Sequence, residues 1–110
     1  MVESSLDTLF AALADPTRRA IVARLAQGPA TVGELAEPFD TSFAAISKHV
    51  GVLDQAGLLQ KERAGRHIRC SLAPERLKPL ARWVHDYERF WNERLDQLED
   101  VVRDIKRRTP

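Results

Sequence analysis

The sequence predicts a mainly α-helical domain of five helices that carries one two-stranded β-hairpin. Three features predict it. Apolar residues recur at helical spacing through most of the chain. The period switches to strict alternation only within residues 59–72. Capping residues, glycines and prolines punctuate the changes of direction between segments.

In chain order, Ser4 or Ser5 is placed to cap a first helix running to about Ala14, with Leu6, Leu9, Phe10 and Leu13 on one face. Asp15-Pro16 restarts the chain, because Asp is a good N-cap and Pro is favoured at the first helical position. A second helix follows to about Ala26 with Ala20, Ile21, Val22, Ala23 and Leu25 inward, and Gly28-Pro29 ends it. Thr31 caps a short third helix carrying Val32, Leu35 and Ala36, which Pro38 stops. Phe39-Asp40-Thr41 is a tight link. Ser42 then caps a fourth helix to about Gln55, with Gly57 just past its end. Two helices joined by so short a turn predict a helix-turn-helix.

Leu59–Arg63 reads as a strand, 64–66 as a turn, and His67–Leu72 as a second strand with Ile68, Cys70 and Leu72 on one face. A β-hairpin directly after a helix-turn-helix is a wing. Residues 74–107 are helical, with an irregular first turn allowed by Pro74 and Pro79. The stripe Leu80, Val84, Tyr87, Trp91, Leu95, Leu98, Val102, Ile105, broadened by Trp83, Phe90 and Val101, marks 79–107 as a long C-terminal dimerisation helix. At 1.5 Å per residue it is about 43 Å long, more than so small a domain covers with its own core. Residues 1–110 therefore read as a single winged helix-turn-helix domain with that helix as its dimerisation element.

Composition narrows the function. The chain is 44% hydrophobic and 30% charged, an ordinary globular balance. No run approaches the ~18 apolar residues of a membrane span, and the first residues lack the basic and apolar regions of a signal peptide. One cysteine, Cys70, excludes an internal disulfide and suits a cytoplasmic location. Net charge is only +1, but it is unevenly spread. Residues 1–40 carry three basic and six acidic side chains, residues 41–73 five and two, and residues 74–110 nine and eight. The electropositive middle third coincides with the fourth helix and the wing, as phosphate binding requires.

On the fourth helix, Phe43, Ile46, Val50 and Leu53 share the face expected to pack inward. Ala44, Ala45, Lys48, Gly51, Val52 and Gln55 lie opposite. Small residues there let the helix axis approach a groove, Lys48 reaches a phosphate or guanine, and Val52 or an alanine meets a thymine methyl. Ser42, Ser47 and His49 flank that face. On the wing, Arg63, Arg66, His67 and Arg69 suit the DNA backbone or the minor groove. Taken alone, the helix also reads as an ordinary amphipathic helix and the wing as a solvated hairpin. Cys70 alternates onto the apolar face and reads as a buried thiol. No nucleophile–base pair and no glycine-rich phosphate loop points to an enzyme.

Asp15-Pro16-Thr17-Arg18-Arg19, then Ile46-Ser47-Lys48-His49-Val50 leading to Leu53 and Ala56-Gly57-Leu58-Leu59, then Arg63-Ala64-Gly65-Arg66, resemble in order and spacing the ArsR family of bacterial winged helix-turn-helix repressors. The resemblance spans roughly residues 6–105. It implies a homodimeric repressor on a near-palindromic operator, with the fourth helix in the major groove and the hairpin as the wing. The aromatic last helix looks like the branch of the family that lacks the metal-thiolate site. The resemblance puts the Cys-x-Cys positions of metal-sensing relatives on Thr31 and Gly33, which supply no thiolate. A second site in such relatives, Asp-x-His followed by His-x-x-Glu, would fall on Trp83, His85, Asp96 and Glu99, which keeps only one His and the Glu.

The sequence therefore predicts a transcription regulator with no cofactor and no metal. Double-stranded DNA bearing an inverted repeat and a second copy of the chain are the expected partners. The expected DNA-binding residues are Ser42, Ala44, Ala45, Ser47, Lys48, His49, Arg63, Arg66 and His67, and the expected dimerisation residues are Leu80, Trp83, Val84, Tyr87, Trp91, Leu95 and Leu98. The alternative is a winged-helix module that only binds another protein. A weak zinc site involving His85, an organic ligand between the aromatic last helices, and no effector at all each remain compatible with the residues.

Overall fold

A computed structural model describes residues 2–108. Five helices are present: α1 Val2–Ala12, α2 Pro16–Leu25, α3 Val32–Ala36, α4 Phe43–Gln55 and α5 Pro74–Arg108. Three strands accompany them: β1 Ala30–Thr31, β2 Leu59–Ala64 and β3 His67–Leu72. The chain divides into two compact units, 1–79 and 80–110.

Most boundaries are set by the residues that predicted them. Asp15 caps α2 by accepting from the Arg18 amide, with Pro16 in the first turn. Thr31 caps α3 in a full capping box, its hydroxyl accepting from the Glu34 amide while the Glu34 carboxylate accepts from the Thr31 amide, both at 3.1 Å. Ser42 caps α4 through the Ala45 amide at 3.1 Å. At the other end of α4, Gly57 adopts φ +82°, the Gly57 amide donates to the Asp54 carbonyl and the Leu58 amide to the Leu53 carbonyl. This is a Schellman ending, and its left-handed residue is why glycine stands there.

Three features differ from expectation. Ser4 and Ser5 lie within α1, which is already helical at Val2 and so has no cap at either serine. The last helix, read over 74–107, lacks the irregular first turn allowed for it: Pro74 fits a first turn, and Pro79 forfeits a backbone bond without ending the helix. A third strand joins the expected pair. The sheet has the order β1-β3-β2, with Ala30 opposite Cys70 and Thr31 opposite Arg69. Two residues are too few for alternation to show in a sequence.

The core of the first unit is apolar throughout. Leu9 and Ala12 of α1, Ile21 and Leu25 of α2, Val32 and Leu35 of α3, and Ile46, Val50 and Leu53 of α4 are buried, joined by Ala30, Leu58, Leu59, Cys70 and Ala73. Cys70 is a free, buried thiol, and burial pushes its pKa up, so it stays protonated. Five apolar residues of faces expected inside are outside, Phe10 of α1 among them at 39% exposure. Ala20 and Ala23 flank the Ile21–Leu25 stripe through which the short α2 is buried. Ile68 is 47% exposed because it lies two residues beyond Cys70, where the hairpin has left the core. Phe43, in the first turn of α4, is 59% exposed.

The second unit is helical to Arg108. Leu80 is half-buried, and Trp83, Val84, Tyr87, Phe90, Trp91, Leu95, Leu98, Val101, Val102 and Ile105 are exposed in the single chain. The other face carries ion pairs at helical spacing, Arg89–Glu93, Arg103–Glu99 and Arg108–Asp104.

Candidate nucleic-acid interface

The two faces of α4 are set by what packs on them. Ile46, Val50 and Leu53 are buried to 1% exposure or less, which fixes the rotation of the helix about its axis. At 100° per residue, that rotation turns Ala44, Ser47 and Lys48 away from the core, and all three are exposed. Ala45 is half-buried, and its amide is the one that Ser42 caps.

The C-terminal half of the outer face is exposed at Val52 and Gln55 and borders α1. Val52 and Gln55, with Ala56, line a hollow shared with Thr8, Ala11 and Ala12 of α1. The first half of α4 lies away from that hollow, with Phe43 at its edge. Helix-turn-helix readers use that half of the recognition helix against base edges.

His49 points elsewhere. Its Nδ1 lies 3.4 Å from Arg18 Nη1 and 3.9 Å from an Asp15 carboxylate oxygen. The Arg18 amide, at 3.0 Å, holds the Asp15 carboxyl below the usual carboxylate range. Asp15-Pro16-Thr17-Arg18 thus joins the end of α1, the start of α2 and the middle of α4. The sequence marked Asp15 as a cap and gave no sign of its nearness to His49, 34 residues away in the chain.

The wing is a two-residue hairpin. Gly65, at φ +64°, takes the first central position of its turn and Arg66 the second, as in a type II′ turn. Register puts Leu59, Lys61 and Arg63 on one face with Leu72, Cys70 and Ile68 opposite them, and Gln60, Glu62 and Ala64 on the other with Ser71, Arg69 and His67. The first face is buried at its base, where Leu59 and Cys70 sit. It is anchored in the middle, where Lys61 Nζ approaches Asp54 of α4 to 3.6 Å. At the tip it is open, and Lys61, Glu62, Arg63, Arg66, His67 and Ile68 line a shallow hollow. Arg63, Arg66 and His67 are exposed and belong to no ion pair among the described residues.

Thr31 and Gly33 belong to the capping box and first turn of α3, a structural setting. His85 lines an open hollow on α5 with Glu88, Arg89, Asn92, Glu93 and Asp96. Among the described residues, no three His, Cys, Asp or Glu converge as a metal site.

Ser42 has a cap to maintain whatever else it touches. Ser42→Ala is expected to lower the unfolding free energy by about 1 kcal/mol in urea titrations and Ser42→Gly by only a few tenths. Equal losses from both would show that the cap is not engaged. A fall in DNA affinity in Ser42→Gly larger than its stability loss would reveal a second role for the hydroxyl.

The helix-turn-helix domain family matches residues 13–62, the stretch from the end of α1 to the first wing strand. An HTH-type transcriptional regulator of Mycobacterium tuberculosis is 45% identical over 98 residues, 89% of each chain. The transcriptional repressor SdpR of Bacillus subtilis is 35% identical over 74% of this chain and 91% of its own. Among solved structures, an ArsR family transcriptional regulator superposes with a TM-score of 0.72 at 39% identity, covering 80% of this chain and 97% of that one. An ArsR-like transcriptional regulator from a Rhodococcus species gives 0.68 at 30% identity, over 90% and 93% of the two chains.

Proposed function

We propose that this chain, which belongs to the ArsR family of winged helix-turn-helix DNA-binding transcriptional regulators, works as a cytoplasmic homodimeric repressor that places two α4 helices in successive major grooves of an inverted repeat. The observation that carries this reading is the outer face of the first half of α4. It offers small side chains at Ala44 and Ala45, a hydroxyl at Ser47 and one cation at Lys48, next to a wing tip bearing Arg63, Arg66 and His67. Lys48 reads a guanine or anchors a phosphate, and the alanines allow close approach to base edges. The wing residues serve the backbone or the minor groove.

Two-fold pairing rests on α5. Trp83, Val84, Tyr87, Trp91, Leu95 and Leu98 are exposed along one helix, and half-buried Leu80 begins the stripe. A continuous apolar face of this length is unusual on a monomer. A second copy of the same helix covers it with the symmetry that the inverted repeat demands.

DNase footprinting on the promoter of the protein's own gene is the test. Protection of two half-sites whose centres are about 34 Å apart is expected, with affinity falling steeply as salt rises. Absence of salt-sensitive DNA binding and of heparin retention would overturn the reading in favour of a protein-binding module.

A further inference from the structure

We infer that Asp15, Arg18 and His49 form a latch that holds the recognition helix against the α1–α2 junction, so that His49 is a positioning residue for DNA binding. This inference rests on the DNA-binding reading above. It assigns a role to the Asp-Pro-Thr-Arg segment, which the recognition surface itself does not use.

The Arg18 guanidinium sits at the centre. Its Nε donates to the Ala12 carbonyl and its Nη2 to the Ala11 carbonyl at 3.2 Å, so it closes the C-terminus of α1. The Ala11 carbonyl also accepts from the Ala14 amide at 3.2 Å, and the negative end of the helix dipole at both carbonyls favours the cation. The remaining nitrogen, Nη1, reaches His49 Nδ1 at 3.4 Å. Asp15 orients the same arginine from behind by accepting its backbone N–H, and its carboxylate completes the cluster 3.9 Å from His49. One side chain therefore binds both the end of α1 and the middle of α4.

A guanidinium only donates, so the hydrogen bond from Nη1 requires the tautomer in which Nδ1 accepts and the proton sits on Nε2. The consequence for α4 is rotational. Ile46, Val50 and Leu53 already set which face of the helix packs inward. A hydrogen bond at His49 adds direction on the flank of that packing. Lys48 is its immediate neighbour, 100° around the helix, so a latch that fixes His49 also fixes where Lys48 points. The partly buried setting strengthens the hydrogen bond relative to one in water.

Amide substitutions separate this role from a DNA contact, because Asn places an acceptor near Nδ1 and Gln places its polar group near Nε2. Affinity is measured on the footprinted operator and on a scrambled duplex, with thermal melts of each variant. The latch predicts that His49→Asn keeps most of the operator affinity. His49→Gln and His49→Ala lose about tenfold on the operator with little change on scrambled DNA, and Arg18→Gln combined with His49→Gln is no worse than the poorer single variant. A better result for Gln than for Asn, equal losses on both duplexes, or additive losses in the double variant would overturn the inference and make His49 a DNA contact. If the wild type fails to distinguish operator from scrambled DNA, the functional reading falls and the inference with it.

Discussion

On the proposed pairing through α5, Leu95→Asp is expected to leave a 12.4 kDa monomer at micromolar concentration and to abolish operator binding with it. Leu95 is 58% exposed in the single chain and belongs to the second unit, so the substitution leaves the core around α4 intact. Burying a leucine stabilises by ~1.5–3 kcal/mol. A two-fold interface loses that twice, roughly 3–6 kcal/mol, or two to four orders of magnitude in the dimer dissociation constant. The introduced carboxylates meet an apolar partner surface and add a desolvation cost. DNA binding follows because a monomer engages one half-site only. Sedimentation velocity measures the first effect and a gel shift the second, while an unchanged far-UV spectrum shows that the helices persist. A Leu95→Asp variant that still sediments as a dimer would place the interface elsewhere, and Trp91→Asp would then be expected to be equally silent.

That expectation draws on the part of the molecule that the sequence displays most openly. An uninterrupted heptad-like stripe from Leu80 to Ile105 needs no tertiary context to be seen, because helical period alone defines it. The caps at Asp15, Thr31 and Ser42 were legible for a similar reason, since each acts within three residues of itself. What the sequence concealed is non-local. β1 exists only because Ala30 and Thr31 lie opposite Cys70 and Arg69. Phe43 shares its periodicity with Ile46, Val50 and Leu53, yet it occupies the first turn, at the edge of the packed face rather than within it. Ile68 alternates correctly with Cys70, but the hairpin extends past the core between them. Periodicity tells which residues share a face; how far along an element that face remains covered depends on elements distant in the chain. The same limit applies to the candidate interface. Lys48, Ser47 and the wing arginines are visible from charge and spacing, whereas the contacts that turn His49 toward Arg18 and line the Val52 flank with α1 are not.

Lys48→Ala and Arg66→Ala are expected to weaken DNA binding in distinguishable ways. Lys48 projects from the first half of α4 and is the only cation on that helix, so its loss removes either a base contact or the closest phosphate anchor in the groove. A good base contact is worth about 1–3 kcal/mol per half-site. In a dimer both half-sites lose it, which amounts to roughly 30-fold or more in operator affinity. If Lys48 reads a base, the loss is confined to the operator and discrimination relaxes at one position in each half-site. Arg66 occupies the second central position of the wing turn, where the backbone rather than a groove floor is the natural target. Its removal should weaken operator and scrambled DNA alike and lower the slope of log affinity against log salt by about 0.9 for each phosphate no longer neutralised. Titrations of both duplexes between about 50 and 200 mM salt, the range over which phosphate neutralisation responds strongly, separate the two behaviours. Should both variants bind the operator as tightly as the wild type, the DNA-binding face lies away from α4 and the wing. A Lys48→Ala loss equal on both duplexes would instead make Lys48 a phosphate anchor and shift sequence reading to Ala44, Ser47 and the exposed ring of Phe43.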